Sequence, residues 1–123
     1  MIETLNPKYQ EMVIRLAKPG QDILKNLTPE TCELLHAAIG ISSDGGEFLD
    51  AVKAHVIYGK PLDRENIIEE LGDLEWFMQL ARNCIRVTRE EIIQANVNKL
   101  AKRYPDKVYS DKDGLARKDK ENE

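Results

Sequence analysis

Two short acidic motifs contain the residues of this chain that are best suited to chemistry. Asp44 and Glu47 stand three positions apart. Glu70 and Asp73 repeat that spacing. Because residues at this spacing share one face of an α-helix, each pair would point two carboxylates the same way. Four carboxylates on two packed helices would repel one another unless a cation lay between them, and all-oxygen ligands favour magnesium or manganese.

A solvated acidic surface is the alternative interpretation, because 33% of the residues are charged. Apolar residues at helical spacing beside both motifs count against it, since they predict that the carboxylates lie next to a core. These stripes comprise Leu34, Leu35, Ala38, Ile41, Leu49 and Val52 in one helix and Ile67, Leu71, Leu74, Met78, Ala81 and Ile85 in the next. Spacing alone leaves a metal site and a surface patch both open.

The helix that would hold the first motif is predicted to be long. Thr28 followed by Pro29 indicates a helix start, and the pattern then continues without proline to Tyr58. Gly45 and Gly46 interrupt it, and each glycine costs a helix about 1 kcal/mol relative to alanine. They indicate either a close approach of a neighbouring backbone or ligand, or a local break.

Capping signals predict three further helices, because Asn, Asp and Thr side chains accept hydrogen bonds from a first helical turn. The starts are Asn6 with Pro7, Asp63, and Thr88 with its capping-box partner Glu91, and the helices end near Lys18, Arg86 and Tyr104. About four main helices predict an all-α, four-helix-bundle-like fold.

The last of these helices carries a polar ridge opposite its apolar stripe. Asn96, Lys99 and Arg103 follow one another at spacings of three and four, so they share one face. Cations and an amide in a row suit phosphate oxygens, whereas an ordinary solvated helix face would have the same spacing. The buried stripe is predicted to be Ile93, Val97, Leu100 and Tyr104.

Length and charge limit the remaining options. A chain of 123 residues is expected to form one domain, here residues 1–105, followed by a charged tail over residues 106–123 that is loosely held or helical only in part. The net charge of −4 gives no general attraction to nucleic acid or to an anionic membrane.

Without a signal-peptide pattern or a membrane-length apolar run, a cytoplasmic protein is expected. Cys32 and Cys84 lack metal-ligand spacing and are interpreted as reduced core thiols.

Other catalytic or metal-binding patterns fit poorly. Glu33 and His36 have the Glu-x-x-His spacing of di-iron bundles, but His55 has no matching glutamate, so the second copy that such sites need is missing. No Ser/His/Asp grouping, glycine-rich phosphate loop or zinc spacing occurs. His36 is interpreted as a near-core histidine, with a nucleobase contact as the alternative.

In combination, the motifs resemble those of a known family. The two acidic motifs lie between the stretches Leu35-His36-Ala37-Ala38-Ile39-Gly40 and Asn96-Val97-Asn98-Lys99-Leu100-Ala101-Lys102-Arg103-Tyr104-Pro105. Over most of residues 30–119 this arrangement resembles the MazG-like all-α nucleoside triphosphate pyrophosphohydrolases, especially their short single-domain members. The family usually has Glu where this chain has Asp44, which shortens that ligand by one methylene and leaves open whether it binds metal directly or through water.

The resemblance implies a function and a set of site residues. The fold would be of the MazG type, and the reaction would cleave the α–β phosphate bond of a nucleoside triphosphate, giving the monophosphate and pyrophosphate. Magnesium, or manganese, would bind Asp44, Glu47, Glu70 and Asp73, and Glu47 would also orient the attacking water. The residues expected to bind substrate are Lys53, Asn96, Lys99, Arg103 and Tyr104, with Asp50 either supporting the site or forming ordinary helix surface.

Two further expectations concern assembly and activity. Trp76, Phe77 and Met78 in succession put apolar residues on more of their helix than one neighbour can cover, and short family members are dimers or tetramers. A homodimer or homotetramer is therefore expected. The tail has an Arg117-x-Asp119 motif similar to one in the family, which could pack over a neighbouring subunit. A non-catalytic helical interaction module, or a regulator that binds nucleotide without turnover, stays open as the alternative function.

Overall fold

The computed structural model describes residues 2–120, with side chains from residue 7 onward. Among these residues every regular element is a helix, which confirms the predicted all-α fold. In chain order the helices are α1 (Ile2–Leu16), α2 (Gly20–Leu24), α3 (Pro29–Val56), α4 (Arg64–Ile85), α5 (Arg89–Arg103) and α6 (Asp111–Ala116), followed by a short 3-10 helix (Lys118–Lys120). None of the described helices is long and apolar enough to cross a membrane.

Local capping explains where the three long helices that follow α2 begin. The Thr28 hydroxyl accepts a hydrogen bond from the Thr31 amide at 3.1 Å, and the Thr31 hydroxyl accepts one from the Thr28 amide at 2.7 Å. Thr88 and Glu91 form a reciprocal capping box at the start of α5. At α4 the Asp63 carboxylate accepts a hydrogen bond from a backbone amide of the first turn. These three predicted starts are confirmed.

The N-terminal part differs from the prediction. α1 begins at Ile2, so Pro7 lies inside the helix and Asn6 is not its N-cap. Proline favours a first helical turn without requiring one, and the residues before Pro7 are helical as well. The short α2 has no counterpart among the predicted helices, because five residues are too few to give a periodic signal.

α3 continues through Gly45 and Gly46 without a break. Its 28 residues make a rod of about 42 Å. A Cβ atom added at either glycine would meet nothing within 4 Å, so no backbone of the described chain approaches them closely. The predicted alternative of a local helix break at Gly45 and Gly46 is therefore wrong. Packing within one chain does not explain why two glycines stand here.

From α3 onward, the described chain forms two packed units. α3 and α4 form an antiparallel hairpin, joined by residues 57–63, and pack along their length. The main contacts of α5 are instead with α6 and the 3-10 helix. The carboxylate motifs thus lie on the hairpin, whereas the predicted cation ridge lies on the α5 unit.

Few side chains are buried within one chain. Of the residues whose burial is described, only Ala37, Gly40 and Arg82 are buried. The prediction that the apolar stripes form a core is therefore wrong for most of their residues in the single chain. Two helices in contact shield only a narrow strip of each other's surface. The large apolar residues of the stripes that are exposed include Leu34, Leu35, Leu49, Leu71, Met78, Ile85, Ile93, Val97 and Leu100.

Two other predicted core residues lie at the surface. His36 and Cys32 are both exposed, and His36 makes an edge-on ring contact with Phe77. Cys84 is half-buried, and both cysteines are free thiols. The near-core interpretation of His36 and the core interpretation of Cys32 are therefore wrong for the single chain, because the faces on which these residues lie have no covering helix.

The tail is helical in part, as expected, and several contacts hold it against α5. The Ser110 hydroxyl caps α6 by accepting a hydrogen bond from the Asp113 amide at 3.1 Å. The rings of Tyr104 and Tyr109 lie 5.8 Å apart between their centroids. The Tyr109 hydroxyl also donates a hydrogen bond to the Asp111 carboxylate, which raises the pKa of Tyr109.

Candidate metal centre

The two acidic motifs meet across the α3–α4 hairpin. α3 carries Asp44 and Glu47, and α4 carries Glu70 and Asp73. One carboxylate oxygen from each of the four residues lies within 4.8 Å of the other three. The structure therefore brings together all four residues that the sequence analysis assigned to a metal.

The antiparallel direction of the hairpin accounts for how the four residues face one another. Along α3 Glu47 follows Asp44 by one turn, whereas along α4 Glu70 precedes Asp73 by one turn. The Glu47 and Glu70 side chains consequently share a hydrogen bond, and Asp44 lies close enough to Asp73 to feel its charge. Asp44 and Glu70 are half-buried, while Glu47 and Asp73 are exposed.

Crowding changes the acidity of the half-buried pair. The hydrogen bond to Glu47, together with burial and the nearby negative charges, raises the pKa of Glu70 to about 7. Partial burial, together with the charges of Glu47 and Asp73, also raises the pKa of Asp44. Near neutral pH the cluster therefore holds less negative charge than four independent carboxylates would.

One oxygen of the cluster lacks a partner. The Oε2 atom of Glu70 is buried and has no hydrogen bond within the described chain. Buried polar atoms are normally partnered, because leaving one unpaired is costly. An all-oxygen donor set that converges within 4.8 Å and contains an orphaned oxygen fits a hard divalent cation, such as magnesium or manganese.

The competing di-iron pattern gains no support from the geometry. Among the described side chains, those of residues 7–120, the carboxylate cluster is the one group of three or more His, Cys, Asp or Glu side chains that converge in this way. Glu33 and His36 are not part of it.

Asp50 and Lys53, which follow the acidic motif on α3, do not take part in the carboxylate cluster. Asp50 is exposed. The Lys53 ammonium lies 5.9 Å from the centroid of the Tyr58 ring, which is a cation–π contact. Neither residue belongs to the converging carboxylate group.

The predicted substrate-binding residues of α5 lie together but away from the main contacts of the hairpin. Asn96 and Lys99 are exposed, and Lys99 lines a cavity of about 320 Å³ together with Lys102. Arg103 is half-buried and forms an ion pair with Asp119 of the 3-10 helix. Tyr104 is the C-cap of α5. Within one chain the structure therefore groups these residues with the tail rather than with the carboxylates.

Sequence reasoning missed two contacts that shape this region. The Phe77 ring packs directly on the backbone of Gly40. In the sequence, the one sign of this contact is that a glycine stands one helical turn before Asp44. The Arg103–Asp119 ion pair joins residues 16 positions apart. No local pattern could have indicated that pairing.

Comparison with known proteins identifies the family. No curated protein matches the chain, and neither does any solved structure. A scan against protein-family models matches residues 19–108 to the MazG nucleotide pyrophosphohydrolase domain. The matched region includes both acidic motifs and all of α5. The chain therefore belongs to the MazG nucleotide pyrophosphohydrolase domain family.

Proposed function

We propose that the protein is a metal-dependent nucleoside triphosphate pyrophosphohydrolase that cleaves the α–β phosphate bond and releases pyrophosphate. The observation that carries the proposal is the convergence of Asp44, Glu47, Glu70 and Asp73 within a chain of this family. The family supports nucleotide pyrophosphohydrolase chemistry. We propose magnesium or manganese as the cation, because the oxygen-only donor set favours a hard divalent ion.

The four carboxylates would hold the cation between the two helices. The bound cation would neutralise phosphate charge and lower the pKa of a coordinated water. Glu70, whose pKa is raised to about 7 by its hydrogen bond with Glu47, by burial and by the neighbouring charges, would lose its proton when the cation binds, and its orphaned Oε2 would gain a partner. Asp44 has one methylene less than glutamate, so it would bind either directly or through a water molecule.

Glu47 is the proposed catalytic residue. It is the more exposed partner of the Glu47–Glu70 pair, so its carboxylate can reach a water molecule outside the hairpin. As a general base it would accept a proton while the water oxygen bonds to the α-phosphorus. The bond from the α-phosphorus to the bridging oxygen would break, and pyrophosphate would leave with that oxygen.

Binding of the substrate would rest mainly on the polar ridge of α5. Lys99 and Arg103 would donate charge-assisted hydrogen bonds to phosphate oxygens, and Asn96 would donate through its amide. The ion pair with Asp119 uses two of the five N–H donors of the Arg103 guanidinium, so the rest of the group can still serve a ligand. Lys53 and Tyr104 would complete the contacts to the substrate.

A homodimer or homotetramer is part of the proposal. The single chain exposes 10537 Å² of surface. A folded monomer of 14.1 kDa is expected to expose about 6,700 Å². The chain therefore exposes roughly 3,800 Å² more than a typical monomer of its mass and has many exposed leucine, isoleucine and valine side chains, as a subunit of an obligate oligomer would. Association would also allow α5 of one copy to approach the hairpin of another.

Pyrophosphate release from a panel of nucleoside triphosphates, with and without magnesium, tests the proposed reaction. We expect turnover only with the cation, and a Glu70→Gln variant should lose at least about a hundredfold in activity at limiting magnesium because one charged ligand is gone. Glu69→Gln is the matched control, since the neighbouring Glu69 is exposed and outside the cluster. Nucleotide binding without pyrophosphate release by the unmodified chain would favour the non-catalytic alternative.

A further inference from the structure

We propose that the contact between Gly40 and Phe77 sets the separation of α3 and α4 and thereby positions the carboxylate cluster for a small divalent cation. Gly40 and Phe77 would then be positioning residues, acting through the four acids without touching metal or substrate. The inference rests on the proposed function in one respect, namely that the cluster binds a cation.

The contact lies in register with the cluster. Gly40 precedes Asp44 by one turn of α3, and Phe77 follows Asp73 by one turn of α4. Because the helices are antiparallel, the Gly40–Phe77 contact forms the layer next to the Asp44–Asp73 layer, and the Glu47–Glu70 layer follows. A change in helix separation at the first layer is therefore passed directly to the ligands.

The fit at this layer leaves no room for a side chain. Gly40 is one of the few buried residues. A Cβ atom at this position would overlap the Cγ, Cδ1 and Cε1 atoms of the Phe77 ring. These atoms belong to a rigid ring and include the one attached to its own Cβ, so a small rotation of the ring does not relieve the overlap.

Two aromatic neighbours contact the Phe77 ring. The His36 ring lies 5.6 Å away between centroids at an interplanar angle of 72°, and the Trp76 ring lies 5.0 Å away at 84°. Both are edge-to-face arrangements, which are favourable for aromatic pairs. A methyl group at position 40 would have to displace this set or move the two helices apart.

Separation of the helices should matter most for a small cation. Magnesium demands oxygen ligands at about 2.0–2.1 Å in near-octahedral geometry, whereas calcium accepts about 2.3–2.6 Å and more variable geometry. A wider cluster should therefore lose magnesium affinity and lose less calcium affinity. A purely structural role for Gly40 predicts no such change in the ratio of the two affinities.

The experiment measures binding of magnesium alone, and of calcium alone, to the full chain by calorimetry. We expect Gly40→Ala to weaken magnesium binding by roughly tenfold or more, as mutations behind metal ligands commonly do, and calcium binding by less. Gly45→Ala is the matched control on the same helix, because a Cβ atom there meets nothing within 4 Å. Magnesium affinity of Gly40→Ala within twofold of the unmodified chain would overturn the proposal, as would an equal loss in Gly45→Ala.

A compensating variant separates spacing from general damage. Phe77→Ala removes all the ring atoms that the added methyl group would overlap, so Gly40→Ala combined with Phe77→Ala should recover most of the magnesium affinity lost in Gly40→Ala. If Gly40→Ala does not fold, the double variant is compared with Phe77→Ala alone, and equal affinity supports the spacing role. A double variant that fails to recover overturns it. An unmodified chain that binds magnesium but releases no pyrophosphate would refute the proposed function and leave the positioning role standing.

Discussion

The guanidinium of Arg103 donates two hydrogen bonds to the carboxylate of Asp119, from Nε at 2.9 Å and from Nη2 at 3.2 Å. The Asp119 side chain is only 2% exposed, so the pair is largely shielded from water. The hydrogen bonds from Arg103 lower the pKa of Asp119 and keep it ionised. This contact holds the 3-10 helix against the end of α5 and orients Arg103, a residue that we propose to bind the substrate.

Replacing Asp119 by Asn should therefore loosen the tail. The change keeps the size of the side chain but removes the charge that holds Arg103, so local opening of residues 110–120 becomes easier. We expect cleavage by trypsin after Arg117 or Lys118 to accelerate by roughly tenfold, measured by mass spectrometry under native conditions. Asp106→Asn is the control, because Asp106 is exposed. Equal digestion of the two variants would show that the ion pair does not hold the tail.

The raised pKa of Glu70 predicts how stability depends on pH without metal. In the unfolded chain this carboxyl has its usual pKa of 4.5, whereas in the folded chain the pKa is about 7. Between these values the folded chain keeps a proton that the unfolded chain has lost, so the free energy of unfolding should fall as pH rises through this window. Urea unfolding in EDTA across the window would measure the trend.

Two additions make the pH experiment specific to Glu70. Glu70→Gln cannot titrate, so the decline in stability should become smaller in that variant. A divalent cation competes with the proton, so the affinity of the unmodified chain for magnesium should increase as pH rises towards and past about 7. A metal-free stability that rises over the same window would contradict the raised pKa.

The exposed apolar surface predicts the state of association. Light scattering at micromolar concentration should give two or four times the chain mass of 14.1 kDa. Trp76 is 60% exposed in the single chain, so its fluorescence should shift to shorter wavelength on association. A monomeric mass would contradict the oligomer, and it would leave α5 of each chain without a partner hairpin.

Sequence patterns predicted the local features of the fold well. Spacing put each carboxylate pair on one helix face, and the caps at Thr28, Asp63 and Thr88 marked real helix starts, because these signals act within a single turn. The partners across helices could not be predicted in this way. The overlap at Gly40 and the tie between Arg103 and Asp119 depend on residues that are distant in the chain.

Burial was the least predictable property, for a physical reason. The apolar stripes of α3, α4 and α5 are real in sequence, yet one chain covers little of them, as the exposed Leu49 and Val97 illustrate. A hydrophobic pattern indicates that a face will be covered without indicating whether the covering helix belongs to the same chain. The same ambiguity applies to the site, since the ridge of α5 was predicted to bind the phosphates of a substrate, yet within one chain it lies apart from the carboxylates and its Arg103 pairs with Asp119 of the tail.

The role of the α5 ridge can be tested at Lys99, which is exposed and lies opposite the apolar stripe of the helix. If Lys99 serves the phosphates, Lys99→Ala should change the free energy of unfolding by less than about 0.5 kcal/mol, as exposed substitutions usually do. Catalytic efficiency should fall much further. A lost charged hydrogen bond typically costs about 1.5–3 kcal/mol, which corresponds to roughly a ten- to hundredfold loss in kcat/KM when the contact is made in the transition state.

Lys112→Ala on α6 is the matched control for Lys99→Ala, because Lys112 is also an exposed helical lysine but lies outside the ridge. The comparison is made on the best triphosphate substrate, with pyrophosphate release for kcat/KM and urea unfolding for stability. A solvated-surface role predicts that both variants keep full efficiency. In that case the ridge is ordinary helix surface and the phosphates are bound elsewhere, whereas a loss confined to Lys99→Ala assigns the ridge to the substrate.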